Sequence, residues 1–223
     1  MTHTAYPGIQ HEAYISVDVE TSGPNPSDYD LLSIGACLAE DIEQGFYIEL
    51  QPVTGNAIPG ALAITDLSMD ELAETGVPPA KALARFEAWL HEVVPETERP
   101  VFVAFNAPFD WMFVDDYFHR FLRRNPFGHS ALDIKAFYMG LTGVSWAQTS
   151  MPYLAARYLD GRKLTHHALQ DARDQAEIFQ HVLKKARERF PEAHQRFPEA
   201  RRRFLEARRR ATGALERSDE PQE

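Results

Sequence analysis

From Ala13 to Glu20 apolar and polar residues alternate, putting Ile15, Val17 and Val19 on one face of a predicted strand and Ser16, Asp18 and Glu20 on the other. Thr21 to Asp30, with Gly23, Pro24 and Pro26, reads as turns. Leu31 to Ala39 and Gly45 to Gln51 read as two further strands joined by a short acidic turn, so strands one to three form an antiparallel meander. At Pro79 to Val94 the period becomes helical, with Ala82, Leu83, Phe86, Trp89, Leu90 and Val93 on one stripe. Val101 to Phe105 is continuously apolar, as expected of a strand buried on both faces. Pro108 to Arg124 predicts a helix with Asn106 as N-cap and Pro108 tolerated in the first turn. Ala131 to Ile134 reads as a fifth strand, followed by helical stretches around Lys135 to Gly140 and Pro152 to Leu159 and a last helix from about Ala168 to Lys185. Three strands followed by alternating helix and strand predict an α/β fold, a mixed sheet with helices on both sides.

A chain of 223 residues buries enough surface, roughly 70%, to fold without disulfides, and its one cysteine, Cys37, sits in an apolar strand where a packed, inert thiol is expected. Trp89 and Trp111 fall in helical apolar patterns and read as core. No apolar run approaches the ~18 residues of a membrane span. The segment Met1 to Tyr14 lacks the apolar centre of a secretory signal, so a cytoplasmic protein is expected.

Charge is uneven. Residues 1 to 183 hold 11 Lys and Arg against 25 Asp and Glu, a balance of −14, whereas 184 to 217 hold 12 against 5, or +7. An acidic body with a basic arm can still hold phosphates locally, so net charge does not exclude a nucleic-acid substrate. The arm repeats Arg-Phe-Pro-Glu-Ala at residues 189 and 196, and Arg-Phe-Leu-Glu-Ala at 203, a period of seven. Leu183, Ala186, Phe190, Ala193, Phe197, Ala200, Phe204, Ala207, Ala211 and Ala214 make a helical seam, broken into short pieces by Pro191 and Pro198. The expected organisation is a domain over 1–185 and a basic, heptad-like extension over 186–223 with an acidic end. The seam suits packing on the body, a dimer contact or phosphate binding.

Three clusters carry candidate chemistry. Asp18 and Glu20 project from one face of a strand end, where paired carboxylates repel and a divalent cation relieves them, though such a pair is also an ordinary surface feature. Asp110 lies in the first turn of a helix, where the helix dipole favours an acid with or without function. His166 precedes a helix bearing Asp171, with Asp174 a turn beyond on the same face; alone, such a histidine reads as surface.

Taken together, Asp18-Val19-Glu20-Thr21, Asn106 with Phe109-Asp110, and His166 with Ala168-Leu169 and Asp171 resemble, in identity, order and spacing, the DnaQ-like 3′-to-5′ exonuclease family with a catalytic histidine (DEDDh type). Ala61-Leu62-Ala63-Ile64-Thr65, then Phe86 and Trp89, are similar to the family's linking segment, and the likeness covers roughly residues 13 to 185. It implies an RNase H-like five-stranded sheet, antiparallel in strands one to three and parallel in four and five, with the first strand beside the fourth. It further implies Asp18, Glu20, Asp110 and Asp171 as ligands of two Mg²⁺ or Mn²⁺ ions, His166 as general base, Thr21 and Asn106 near the terminal nucleotide, and Phe109 stacked on a base. His167 lacks the step to Asp171 and receives no role. Arg124-Asn125-Pro126-Phe127 upstream of Asp133 is similar to the ribonuclease T branch, but Pro24, Ile64 and His129 stand where that branch has base-stacking phenylalanines. Phe105 stands where the family often has His.

The activity so implied is removal of nucleoside monophosphates from the free 3′ end of single-stranded RNA or DNA. All-carboxylate ligation selects hard cations, and one cysteine leaves no structural zinc set. A base titrating near neutrality suits proton removal from the attacking water, which a histidine supplies. Two other readings are a non-catalytic nucleic-acid-binding module on the same fold, against which the complete set of acids argues, and a proofreading subunit tethered to a polymerase by the arm, which the sequence does not support. A homodimer is an expectation from the heptad seam.

Overall fold

In the computed structural model residues 11–65, 67–163 and 165–191 are described. The seam beyond Pro191 lies outside them. Strands β1 (His11–Thr21), β2 (Leu31–Leu38) and β3 (Asp41–Glu49) form the expected meander. Helices α1 (Pro59–Leu62), α2 (Met69–Thr75) and α3 (Pro79–Val93) lead to β4 (Glu98–Ala104) and α4 (Ala107–Leu122). Then come β5 (Ala131–Asp133), α5 (Ile134–Thr142), a 3₁₀ turn at Trp146–Thr149, α6 (Met151–Tyr158) and α7 (Ala168–Arg189). The sheet order is β3-β2-β1-β4-β5. β1 is central, antiparallel to β2 from Ile15↔Leu38 to Thr21↔Leu31 and parallel to β4 from His11↔Glu98 to Ser16↔Val103. β4 and β5 run parallel. This is the RNase H-like architecture that the resemblance implied.

The alternation in β1 works because both of its faces are covered. Ile15, Val17 and Val19 join an apolar core with Leu83, Phe86 and Leu90 of α3 and Phe113, Val114 and Phe118 of α4. Against the opposite face lies α7, whose Ala168, Ala172 and Ala176 are all fully buried. Alanines four apart make one smooth stripe, which lets helix and sheet backbones approach closely. At Gly35 of β2 the approach is close enough that a methyl group would overlap the backbone of Ala168 and Leu169. The Cys37 thiol donates to the Ala172 carbonyl at 3.6 Å and is pushed by burial up to about 12, which suits the inert role expected of it.

Several details differ from the sequence reading. Asp41 and Glu43 belong to β3, not to a turn, since an edge strand accommodates charged side chains that face water. Two short helices, α1 and α2, occupy the segment before α3; α2 is started by Ser68, whose hydroxyl accepts from the Glu71 amide at 3.4 Å. Asn106 occupies the N-cap position of α4 with a left-handed backbone (φ 69°) and no side-chain cap. The carboxylate of Asp133 takes that duty instead, accepting from the Ala107 amide at 2.7 Å while capping α5 through the Ala136 amide at 2.6 Å. Trp89 and Trp111 are partly buried against the core rather than enclosed in it.

The chain divides into units 1–183 and 184–223; of the second, residues 184–191 are described. No helix among the described residues is long and apolar enough to cross a membrane.

Candidate active site

Parallel strands β1 and β4 end on the same edge of the sheet, the edge where open α/β sheets place their ligands. Asp18 and Glu20 lie at that end of β1, both on the face toward α7. The pairing of β1 with β4 stops at Ser16↔Val103, so the Val19 amide is free of the ladder, and the Asp110 carboxylate from α4 accepts it at 3.2 Å. Asp110 is thereby docked on the peptide between the two acids of the strand.

Asp171 enters from the first turn of α7, nearly fully buried. Its carboxylate gathers the preceding loop, accepting from the Thr165 amide at 2.8 Å, the Thr165 hydroxyl at 3.1 Å and the His166 amide at 2.9 Å. His166 itself has a left-handed backbone (φ 56°) and an exposed side chain. Ligand atoms of Glu20, His166 and Asp171 all lie within 4.8 Å of one another, close enough to hold one cation. Asp18 and Asp110 stand outside that trio but within its field.

The electrostatics of the group favour a bound cation. Burial first, then the charges of Asp110, Glu20 and Asp171, push the Asp18 carboxyl well above the usual carboxylate range, against the lowering effect of Gln175. Glu20 is pushed up to about 8 by burial and by Asp171 and Asp110. Asp110 also rises to about 8 through burial, although the Val19 amide pulls it down. Four partly or wholly buried carboxyls with only oxygen donors fit hard divalent cations, whose charge would relieve the repulsion among them.

Thr21 follows Glu20 directly in the chain, and Asn106 and Phe109 precede Asp110 by four residues and by one. The Thr21 hydroxyl donates to the Gly23 carbonyl at 2.9 Å and holds the turn after β1. Asn106 is exposed at the end of β4. Phe109 is half-buried, its ring 5.5 Å from that of Phe113. His167 points elsewhere, stacking on Tyr47 at 4.5 Å, while Asp174 is bound by Arg162 at 2.8 Å.

Two residues escaped sequence reasoning. Buried Gln175 donates its side-chain amide to Asp18 and accepts the Phe105 amide at 2.9 Å, tying β1, β4 and α7 together behind the acids. Its position four residues after Asp171 on one helical face was the available signal. Gly35 is the other; a glycine inside a strand marks close backbone approach.

The chain is similar to known nucleases. Residues 15–179 match the family model RNase_T, described as Exonuclease. The chain is 44% identical over 178 residues to the 3′-5′ DNA exonuclease Cap18 of Escherichia coli, covering 80% of this chain and 95% of that one. It is 27% identical over 188 residues to a ribonuclease T of Actinobacillus pleuropneumoniae, covering 78% and 84%. Among solved structures, the nuclease domain of 3′hExo, a DEDDh family member bound to rAMP, superposes with a TM-score of 0.65 at 14% identity, covering 78% of this chain and 92% of that one.

Proposed function

Because this chain belongs to the exonuclease family and so acts on nucleic acid from the 3′ end with divalent metal, we propose that it removes nucleoside monophosphates one at a time from single strands by two-metal-ion hydrolysis. The convergence of Asp18 and Glu20 from the end of β1 with Asp110 from α4 and Asp171 from α7, where like charges crowd one another, carries this reading.

In the proposed mechanism these four carboxylates would hold two ions, Mg²⁺ or Mn²⁺, which when bound would supply activation of a water and stabilisation of the charge on phosphorus and on the departing 3′ oxygen. His166 takes the proton from the attacking water. Its exposed side chain can reach the solvent to which that proton is passed, and its backbone is held by Asp171. Thr21 and Asn106 bind the terminal nucleotide and Phe109 offers its ring to a base. A terminal base must leave any partner to reach acids buried to this degree, which favours single strands. DNA is favoured over RNA by the 44% identity to a DNA exonuclease. The alternative of a non-catalytic module finds no support in a site that keeps every acid.

The proposal retains a catalytic domain over 1–185 with an extension over 186–223, a cytoplasmic location, and a homodimer formed through the extension. Solution mass at micromolar concentration tests the last.

Digestion of 5′-labelled and 3′-labelled single-stranded and duplex DNA and RNA tests the activity. The expected result is a ladder shortening from the 3′ end, fastest on single-stranded DNA, in Mg²⁺ or Mn²⁺ and abolished by EDTA. Cleavage that persists in EDTA, or starts at the 5′ end, refutes the reading.

A further inference from the structure

The carboxyl ends of β4 and β5 carry another group of side chains that the acid cluster does not use. Lys135, just after β5, sets its ammonium 4.2 Å from the centre of the Trp146 ring and 5.8 Å from that of Phe105. Both are within cation–π reach, ~6 Å. Phe105 directly precedes Asn106, and its amide is held by the same Gln175 that bonds Asp18, so the group begins beside the acids.

Its indole sets it apart. Trp146 is 52% exposed, whereas Trp89 and Trp111 are packed against the core. Lys135 has no carboxylate partner among the described residues, although residues 1 to 183 hold more than twice as many acids as bases. Arg99, Arg120, Arg124 and Arg162 pair with Asp or Glu, while Lys81, Arg85, Arg123, Arg157, Lys163 and Arg173 share with Lys135 the lack of such a partner among the described residues, so it is the seat on an exposed indole that distinguishes Lys135. An unpaired cation seated on a half-exposed indole supplies what a single strand needs, a ring for a base and a charge for a phosphate. In an acidic body it also relieves the repulsion that a phosphate chain meets on nearing the acids.

We propose that Phe105, Lys135 and Trp146 form a strand-binding patch for a nucleotide upstream of the 3′-terminal one, its base stacked on Trp146 and its phosphate against Lys135. The patch rests on the exonuclease reading and makes the enzyme favour strands long enough to reach it over dinucleotides.

Steady-state kinetics on a dinucleotide, a tetranucleotide and a long oligothymidylate test this. Trp146→Ala is expected to raise KM for the long strand about tenfold, the size of one lost stacking contact, with kcat and the dinucleotide KM unchanged. Trp146→Phe, which keeps a ring, restores most of the affinity. Lys135→Gln lowers the slope of log KM against log salt by about 0.7, the share of one phosphate contact. A KM ratio equal at every length, or no change in KM at all, overturns the patch.

Fluorescence keeps the test separate from catalysis. Titrating metal-free protein with the long oligothymidylate should quench an emission that Trp146→Phe removes. Quenching identical in both proteins defeats the patch whether or not the strand is cut. Absence of hydrolysis with Trp146 still quenched would count against the activity alone.

Discussion

Gly35 and Ala168 meet backbone to backbone, and because Gly35 pairs with Asp18 in the β1–β2 ladder, this one contact sets how far Asp171 stands from the acids of the central strand. A methyl group at Gly35 would lift the start of α7 and carry Asp171 and the His166 loop with it. Gly35→Ala is therefore expected to destabilise the fold by about 1–3 kcal/mol, as overpacking does. Activity should fall about a hundredfold, the cost of moving catalytic groups by about an ångström. Urea unfolding and initial rates check both; a variant with wild-type rates would refute the link between this contact and the site.

Gln175 holds the opposite side of the same arrangement. Gln175→Leu leaves the Phe105 amide without its acceptor and Asp18 without its donor, at a cost of about 1–3 kcal/mol. Metal affinity should drop about ten- to a hundredfold, as for other groups that orient metal ligands, and high Mn²⁺ should recover part of the rate. A titration of rate against Mn²⁺ that superposes on the wild type would exclude a positioning role.

Removing metal should make stability depend on pH. Glu20 and Asp110 move from 4.5 and 3.8 to about 8 on folding, so between about pH 4 and pH 8 the folded state holds protons that the unfolded state has lost. Unfolding then releases protons, and stability falls as pH rises through this window. The Tm of EDTA-treated protein should be lower at pH 8 than at pH 5, and Mn²⁺, which needs ionised ligands, should raise Tm most at pH 8. A Tm in EDTA that climbs over this interval contradicts the assignment.

Asp18→Asn and Asp110→Asn each delete one charge from the cluster. Activity should fall about 10³-fold or more, since metal stabilisation of the transition state is worth several kcal/mol and each 1.36 kcal/mol is tenfold. At pH 8 without metal, both variants should nevertheless melt above the wild type, because the remaining acids lose a repelling neighbour. Calorimetry in EDTA alongside the digestion assay reads both effects, and a lower Tm in both variants would argue against repulsion in the metal-free site.

Much of this was legible in the chain itself. Alternation at Ile15, Val17 and Val19 located the central strand, the apolar run ending at Phe105 located the strand beside it, and the helical stripe from Ala82 to Val93 located a core helix. These signals are local, set by side-chain periods of two and 3.6 residues, and they survive without tertiary knowledge. Asp18, Glu20, Asp110, His166 and Asp171 stood out only through the family resemblance of their joint identities and spacings, since each cluster alone reads as ordinary surface or helix start.

What tertiary structure decided was distance and duty. Nothing near Asn106 in the chain foretold that Asp133 would cap α4 in its place, because the cap arrives from another strand. Nor could spacing reveal that Asp110 takes the Val19 amide, that Gln175 spans two strands, or that Gly35 admits α7. Sequence thus determined which elements form and which chemical groups they carry, since both follow from neighbours along the chain. How closely those groups approach, and so how far their charges oppose one another, depends on apolar faces packing across the sheet, which only the folded chain expresses.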